Sequence, residues 1–465
     1  MNNSNKLVAT LLSALALLSV TNASSSISGN PQGCVSSVDS SIDYFPDKVS
    51  PQYSQYWTIE YANTYKILKN TNANTSYLLY LCGTTPPSNL ATNFSATIPI
   101  PVNNVGISET PEIEYLQQLG KLNDVSVFLS DPSYVAAPCF SAMIQNGSVL
   151  VLQGSALQSP SKITNAMNAS KFANMVTFTS PFSPVAFPNN VIVSEYAETT
   201  NQAIFEWLKF YSAFFNLEAL ANQVTQAASE RWNCVAAEAG TVASDAAKPV
   251  VLWAYYSDYC SGWTVADCSG GSTSNYYCQY AAACHVDMLT STAGSITACG
   301  SRFMTTEELV AFGKNASYWF YVSNNWGAVY GNFSAQLNTM NSVYHNQVFD
   351  YQGSGANAWF EERYAEYYDV LQDFCAVVGR GPTLGHNAWF RNVFTQPVGQ
   401  PQPCNKNMPF NNANCANLHN SSSSSSSNNG TTPTTTSTSD AAMRSMVNLL
   451  STALVVMAVS LLTAV

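Results

Sequence analysis

The spacing of apolar and polar residues changes along the chain, and each change predicts a different kind of element. Residues 57–81 are rich in Tyr, Thr and Ile at alternating positions, which predicts antiparallel strands. Short apolar runs then alternate with helical patterns, which is typical of an α/β lobe with a largely parallel sheet. The strands of this lobe are predicted at 96–102, 105–107, 125–129 and 148–153, and its helices at 111–119 and 134–144.

The longest helical pattern covers residues 201–239. Asn216 interrupts it, and apolar residues resume at helical spacing from Leu217 to the neighbourhood of Gly240. A helix over 217–239 would be about 35 Å long at the usual rise per residue, which is enough to cross from one lobe to another.

A second α/β pattern follows the long helix. Strands are predicted at 248–256, 317–323 and 347–351, and helices at 305–313 and 358–378. Thr306 is the expected N-cap of the first helix. In the second, Glu361, Glu362 and Arg363 are expected to form a solvated face.

Both ends of the chain have the composition of targeting segments. Lys6 precedes an apolar run that ends in small residues, which predicts a signal peptide over 1–23. A Ser/Thr/Asn-rich stalk over 404–440 precedes a hydrophobic tail over 441–465, the order of a GPI-attachment signal that is removed at Ser439 or Asp440. A transmembrane anchor is the alternative. Either anchor places the protein on the outer face of a eukaryotic plasma membrane.

Charge and cysteine content agree with export. Only 10% of the 465 residues are charged, with a net charge of −11, so a nucleic-acid partner is not expected. The twelve cysteines predict disulfides, and five of them lie in residues 257–300, which we interpret as a stapled, loop-rich insertion. Surface glycosylation is predicted at six sequons, Asn74, Asn93, Asn146, Asn168, Asn315 and Asn332.

The sequence contains little material for catalysis or metal binding. It has four histidines and no nucleophile-elbow, zinc-protease or Walker motif. The spacing in "CQYAAACH" at 278–285 is not that of a haem-attachment motif, and "GSGANA" lacks the third glycine of a dinucleotide loop. We therefore expect no enzymatic activity, no catalytic residue, no metal site and no cofactor.

Four segments in order carry a family resemblance: "VGISETPEIEYLQQLGKLNDVSVF", "AIFEWLKFYSAFFNLEALANQVTQAASERWNCV", "KPVVLWAYY" and "NQVFDYQGSGANAWFEERYAEYYDVLQDFCAVV". This order resembles the helical-backbone (type III) periplasmic substrate-binding proteins of ABC importers, which take up ferric siderophores, haem and cobalamin. The resemblance covers roughly residues 42–396. It implies two Rossmann-like lobes joined by a single long helix, with a small metal chelate bound in the cleft between them.

The resemblance sets the expected domains and their partners. An N-terminal lobe over 24–200 would be followed by a helical segment over 201–239 and a C-terminal lobe over 240–403. The cysteine-rich insertion is not part of the family pattern. Since the chain has the signals of a GPI-anchored eukaryotic protein, delivery of a ligand to an ABC permease is in doubt, and the transport partner stays open.

Ligands of open α/β sheets collect at the carboxyl ends of strands and at helix N-termini. That rule predicts a ligand site of hydroxyl and aromatic side chains: Ser108, Glu109, Thr110, Tyr134, Tyr255, Tyr256, Trp263, Trp326 and Trp359. Thr110 is alternatively only the N-cap of its helix. Because no arginine cluster is apparent, the site favours a neutral or flat chelate stacked on Trp and Tyr.

Two hypotheses follow from the sequence. The chain is either a cell-surface protein that captures an iron-siderophore or related metal chelate, or a structural and adhesive glycoprotein on the same fold without a small-molecule ligand. The stalk, the sequons and the low charge suit both hypotheses.

Overall fold

The protein folds into two α/β lobes joined by one long helix. The structure, a computed structural model, describes residues 28–90, 93–153, 174–182, 187, 189–243, 247–297, 303–381 and 389–401. The predicted signal peptide, stalk, GPI signal, Ser439, Asp440 and Asn168 lie outside the described residues. Within the described residues, no helix has both the length and the apolar content that crossing a bilayer requires.

The first lobe contains two sheets. The strands of the first sheet are β1 (Trp57–Tyr61), β2 (Tyr65–Asn70), β3 (Thr75–Leu81) and β4 (Ala96–Ile100). β1, β2 and β3 pair antiparallel, as the alternation predicts, and β4 joins β3 in parallel.

The second sheet of this lobe is entirely parallel and has the order β7-β6-β5-β8-β9. Its strands are β5 (Val105–Ile107), β6 (Val125–Phe128), β7 (Leu150–Val151), β8 (Val176–Thr179) and β9 (Asn190–Ile192). Its helices are α1 (Pro111–Gln118) and α2 (Pro138–Gln145). After β5 the chain adds β6 and β7 on one side of β5 and then β8 and β9 on the other side. The carboxyl end of β5 is therefore a topological switch point.

Three helices lead out of the first lobe: α3 (Asn201–Phe205), α4 (Trp207–Phe215) and α5 (Glu218–Ala243). Asn216 adopts a left-handed backbone with φ 56° and ends α4, so the predicted break is confirmed. At 26 residues α5 is about 39 Å long. It packs against α4 on one side and against two helices of the second lobe on the other.

The second lobe has a mixed sheet in the order β11-β10-β13-β14-β15, with β12 also paired to β10. Its strands are β10 (Val250–Ser257), β11 (Gly262–Val265), β12 (Asp287–Leu289), β13 (Tyr318–Phe320), β14 (Val348–Asp350) and β15 (Arg391–Asn392). Its helices are α6 (Tyr276–Ala283), α7 (Thr306–Gly313), α8 (Trp326–Leu337), α9 (Asn341–Tyr344), α10 (Ala358–Glu361) and α11 (Tyr367–Val377).

Two predictions for this lobe need correction. The cysteine-rich segment is not a loop-rich insertion, because it supplies β11, α6 and β12, and two of these pair with the central strand β10. The helix predicted over 358–378 is two helices, α10 and α11, separated by turns at 362–366. That break brings the side chains of the turn into the interior of the protein.

Disulfides tie distant segments together. Cys34 pairs with Cys82, Cys268 with Cys278 and Cys284 with Cys375, so the end of α6 is fixed to α11. Cys139, Cys234 and Cys260 are disulfide-bonded as well. The largest cluster of buried apolar side chains runs without interruption from the first lobe through α4, α5 and α11 into the second lobe.

Candidate functional site

The first half of the candidate site lies at the switch point of the parallel sheet. Ser108 and Glu109 follow β5, and Ser180 follows the neighbouring strand β8. The backbone N–H of Ser180 donates to the Ser108 hydroxyl at 3.3 Å, and the Ser180 hydroxyl donates to Glu109 Oε1 at 2.7 Å. The structure thus brings two predicted site residues together at the edge where open sheets bind ligands.

The N-terminus of α1 is capped from inside the helix by Glu112. Its Oε2 accepts hydrogen bonds from the backbone N–H groups of Ser108, at 2.8 Å, and Glu109, at 3.1 Å. Thr110 is at the N-cap position, as expected, but it has helical backbone angles and its side chain makes no capping hydrogen bond, so capping through its hydroxyl is wrong. Thr110 is half-buried beside Glu109, and α1 does not use its hydroxyl for capping.

Buried acids surround this edge. Glu195 begins a short 3-10 helix after β9, and both Glu195 and Glu112 are almost completely buried. Burial, with Glu109 nearby, raises the pKa of Glu195 to about 8. Burial, with Glu195 nearby, raises the pKa of Glu112 well above its usual range. Among the described residues, none hydrogen-bonds to Oε1 of Glu112 or Oε2 of Glu195.

The second half of the candidate site centres on Arg363, in the turn between α10 and α11. Its side chain is 5% exposed, so the predicted solvated helix face is wrong at this residue. The guanidinium carbon lies 4.1 Å from the ring centroid of Tyr276, 4.6 Å from that of Tyr364 and 5.2 Å from that of Trp359. Within the described part of the chain, Nε and Nη1 of Arg363 have no hydrogen-bond partner.

Tyrosines and Trp359 extend this half of the site. Trp359 stacks on Tyr351 with ring centroids 5.6 Å apart. Burial, with Tyr276 and Tyr277 nearby, raises the pKa of Tyr255 to about 12. A raised pKa disfavours the phenolate that would ligate ferric iron, so these rings are better suited to packing against a ligand than to binding the metal directly.

Tyr364 joins the two halves. Burial raises the pKa of its phenol, and the charged or ionisable groups that act on it come from both lobes: Arg363 and Tyr276 from the second, and Glu195 and Glu109 from the first. The predicted residues Ser108, Glu109, Tyr255 and Trp359 therefore belong to one region between the lobes, with Thr110 beside it.

Three predicted site residues lie elsewhere. Tyr256, Trp263 and Trp326 pack with a separate apolar cluster of the second lobe, which Tyr255 also contacts. Trp263 is fully buried in this cluster and donates its indole N–H to the Thr306 hydroxyl at 3.0 Å. Successive residues of a strand point to opposite faces, so Tyr255 and Tyr256 cannot both face the site. The placement of Trp263 and Trp326 on a ligand-binding rim is corrected to the core.

Tyr134 occupies an intermediate position. It ends a 3-10 helix, Pro132–Tyr134, and its side chain is half-buried. The preceding residue, Ser133, accepts a hydrogen bond at 2.8 Å through its carbonyl from Asn357 of the second lobe. Tyr134 therefore lies near a contact between the lobes, whereas the rings described around Arg363 are those of Tyr276, Tyr364 and Trp359.

Four residues of this region are not predicted from the sequence: Glu195, Tyr276, Arg363 and Tyr364. Glu195 follows β9 closely, but neither β8 nor β9 was predicted. An apolar strand that ends shortly before an acidic residue marks the edge of a sheet, and this pattern could have identified Glu195. Arg363 and Tyr364 were assigned to a continuous helix, whose periodicity conceals the turn that buries them.

No family model matches the chain, and no curated protein matches it. Its shape is similar to several solved structures at low identity. A periplasmic binding protein from Veillonella parvula is 12% identical and covers 59% of this chain and 84% of its own, with a TM-score of 0.42. A possible iron-binding (periplasmic solute-binding) protein from Staphylococcus epidermidis is 10% identical, with coverages of 59% and 98% and a TM-score of 0.42. A periplasmic heme binding protein from Pseudomonas aeruginosa is 9% identical, with coverages of 65% and 99% and a TM-score of 0.43.

Proposed function

We propose that this chain is a non-enzymatic binding protein that holds a small ligand between its lobes, and that an anionic group of the ligand binds Arg363. The observation that carries the proposal is the buried guanidinium with two N–H-bearing nitrogens unpartnered among the described residues. An unsatisfied buried charge is costly, and a bound carboxylate or chelate oxygen would remove that cost.

The surroundings of Arg363 support a flat ligand. Tyr276, Tyr364 and Trp359 present ring faces around the guanidinium, which favour aromatic or planar chelating groups. Of the expected ligands, a ferric siderophore with anionic oxygens or haem with its propionates suits this site better than a neutral chelate. This revises the neutral ligand that the sequence favoured, because the sequence analysis placed Arg363 in solvent.

The test is titration of the purified secreted protein with a ferric catecholate siderophore, haem and cobalamin, followed by Trp fluorescence and by melting temperature. We expect an anionic probe to bind, and Arg363→Met to weaken its binding at least about tenfold, because a hydrogen bond to a charged group contributes about 1.5–3 kcal/mol. Arg363→Lys, which keeps the charge, should recover part of the affinity.

Lys248→Met is the matched control, since Lys248 and its partner Asp287 are more than half exposed. Circular dichroism of each variant separates lost binding from lost folding. If none of the three probes changes the fluorescence or the melting temperature of the wild-type protein, the ligand-binding proposal fails.

The alternative function, a structural or adhesive glycoprotein, is favoured by a different observation. The apolar core is continuous between the lobes, and the five sequon asparagines within the described residues, Asn74, Asn93, Asn146, Asn315 and Asn332, are all exposed. We propose that these asparagines are glycosylated in either case. A protein that binds none of the probes and is glycosylated at these positions would match the alternative.

We further propose that the protein is exported and held at the cell surface by a GPI lipid attached at Ser439 or Asp440. The disulfides and the exposed sequons support export. Treatment of intact cells with phosphatidylinositol-specific phospholipase C should release the protein into the medium. A known GPI-anchored protein on the same cells is the control. If the treatment releases the control but not this protein, the transmembrane anchor is favoured instead.

A further inference from the structure

The two lobes meet along a contact that we term the interlobe seam, formed by α1 and residues 132–138 of the first lobe and by residues 357–366 of the second. Across it, Glu361 accepts hydrogen bonds from the backbone N–H groups of Ala136, at 2.6 Å, and Ala137, at 2.7 Å. Asn357 donates to the Ser133 carbonyl, and α1 packs directly on α10. Arg363 itself belongs to the second-lobe side of this seam.

The seam is lined by acids from both lobes. Glu114 of α1 is 4% exposed, and its two oxygens accept hydrogen bonds from the neighbouring amides of Gln117, at 2.9 Å, and Gln118, at 3.4 Å. Opposite it, in the second lobe, lie Glu361, Glu362 and Glu366, whose charges all interact with Glu114. The Gln118 amide also reaches the Ala365 carbonyl at 3.5 Å, which places these acids side by side.

Three of the cations in this part of the protein are paired with acids. Arg231 of α5 contacts Asp369 at 2.5 Å and Gln372 at 3.0 Å. Lys209 of α4 contacts Glu206 at 2.8 Å, and Lys121, beyond the end of α1, contacts Asp124 at 3.2 Å. Arg363 lies among aromatic rings. The charge of Arg231 also acts on Glu366 and lowers its pKa, but burial and the neighbouring carboxyls have the larger effect, so among the described residues Arg231 offsets only part of the repulsion.

Burial and mutual repulsion raise the pKa values of these carboxyls. The pKa of Glu114 is raised to about 8 by burial, with Glu362 and Glu361 nearby, and that of Glu366 is raised well above its usual range by burial, with Glu114 nearby. Burial raises the pKa of Glu362 to about 7. Burial raises that of Glu361 to about 8, although its two backbone bonds act in the opposite direction.

We propose that the interlobe seam is a pH-dependent clamp, closed while its facing carboxyls are protonated and opened by their repulsion once they ionise. The clamp would retain a bound ligand at acidic pH and release it at mildly alkaline pH, and this part alone rests on the proposed function. A carboxyl whose pKa is raised in the closed form stabilises that form fully below its ordinary pKa of about 4.5. The stabilisation is lost as the pH rises through about 7 to 8.

The clamp is measured without ligand, by hydrogen–deuterium exchange of the intact protein at pH 5.5 and 8.5, corrected for the intrinsic effect of pH on exchange. We expect peptides covering 111–118, 132–145 and 358–377 to lose protection by at least about tenfold at pH 8.5, while peptides from β1 to β3 stay protected. Tenfold corresponds to a shift of one pKa unit in a single carboxyl.

The decisive variant is Glu114→Gln with Glu366→Gln, which removes two charges with little change of shape and leaves Glu361 in place. It should abolish most of the pH-dependent loss of exchange protection. Glu307→Gln, at an exposed position of α7, should leave that loss unchanged. If the double variant does not fold, as judged by circular dichroism, Glu114→Gln alone is measured.

Equal protection of the seam at both pH values, or an undiminished pH effect in the folded variant, would overturn the clamp. Because no ligand is present, such a result leaves the proposed binding function intact. A working clamp in a protein that binds none of the probes would overturn only ligand retention.

Discussion

At the scale of single residues, the protein uses one buried ion pair to join the first sheet to the long helix. Lys66 of β2 and Glu218 at the start of α5 are both fully buried and in contact. The Lys66 ammonium also donates to the Ala213 carbonyl at 2.9 Å and to Asn216 Oδ1 at 2.7 Å. It lies 4.6 Å from the ring centroid of Phe45. Every donor of this buried ammonium therefore has an acceptor, which offsets the cost of burying its charge.

Lys66→Met is expected to lower the free energy of unfolding by about 3–5 kcal/mol, because it leaves the Glu218 carboxylate buried without its cation. Urea denaturation measures the change. Lys69→Met is the matched control on the same strand, since Lys69 and its partner Glu60 are exposed, and it should cost less than about 1 kcal/mol. Adding Glu218→Gln to Lys66→Met should restore part of the loss; a double variant no more stable than Lys66→Met would refute the ion-pair explanation.

At the scale of elements, end residues decide where several helices begin and end. Asn216 accepts the left-handed conformation that terminates α4, and α5 begins two residues later. α7 begins at a capping box, in which Thr305 accepts from the backbone N–H of Glu308 at 3.2 Å and Glu308 accepts from that of Thr305 at 2.8 Å. The predicted cap was Thr306, whose hydroxyl instead accepts the indole N–H of Trp263.

Thr305→Ala should lower the free energy of unfolding by about 1 kcal/mol, because it leaves a backbone N–H of the first turn without its acceptor. Chemical denaturation of the variant measures the loss. Glu307→Gln, in the same turn but exposed, is the control and should have a smaller effect. A negligible loss in Thr305→Ala would mean that water replaces the cap.

At the scale of the whole molecule, a net charge of −11 coexists with many acids in the interior. Glu112 and Glu195 border the candidate site, and Glu114 and Glu361 line the interlobe seam. Burial first, and then the proximity of carboxyls from distant parts of the chain, raises their pKa values, rather than the total charge. In the proposed clamp, acidity is the signal to which the two lobes respond together.

The sequence by itself determined the break at Asn216 and the two α/β lobes, because hydrophobic period and helix-ending residues act locally. It also predicted Ser108, Glu109, Tyr255 and Trp359 as site residues, since strand ends collect at one edge of a sheet, and their contact with a ligand stays a prediction. Only the tertiary structure decided that Arg363 is buried and that Tyr256, Trp263 and Trp326 belong to a core. Burial of a polar residue depends on which distant surface covers it, and Arg363 is covered in part by Tyr276, which lies far from it in the sequence. The same dependence places Glu114 against Glu366, two residues far apart in the chain whose meeting no local pattern records.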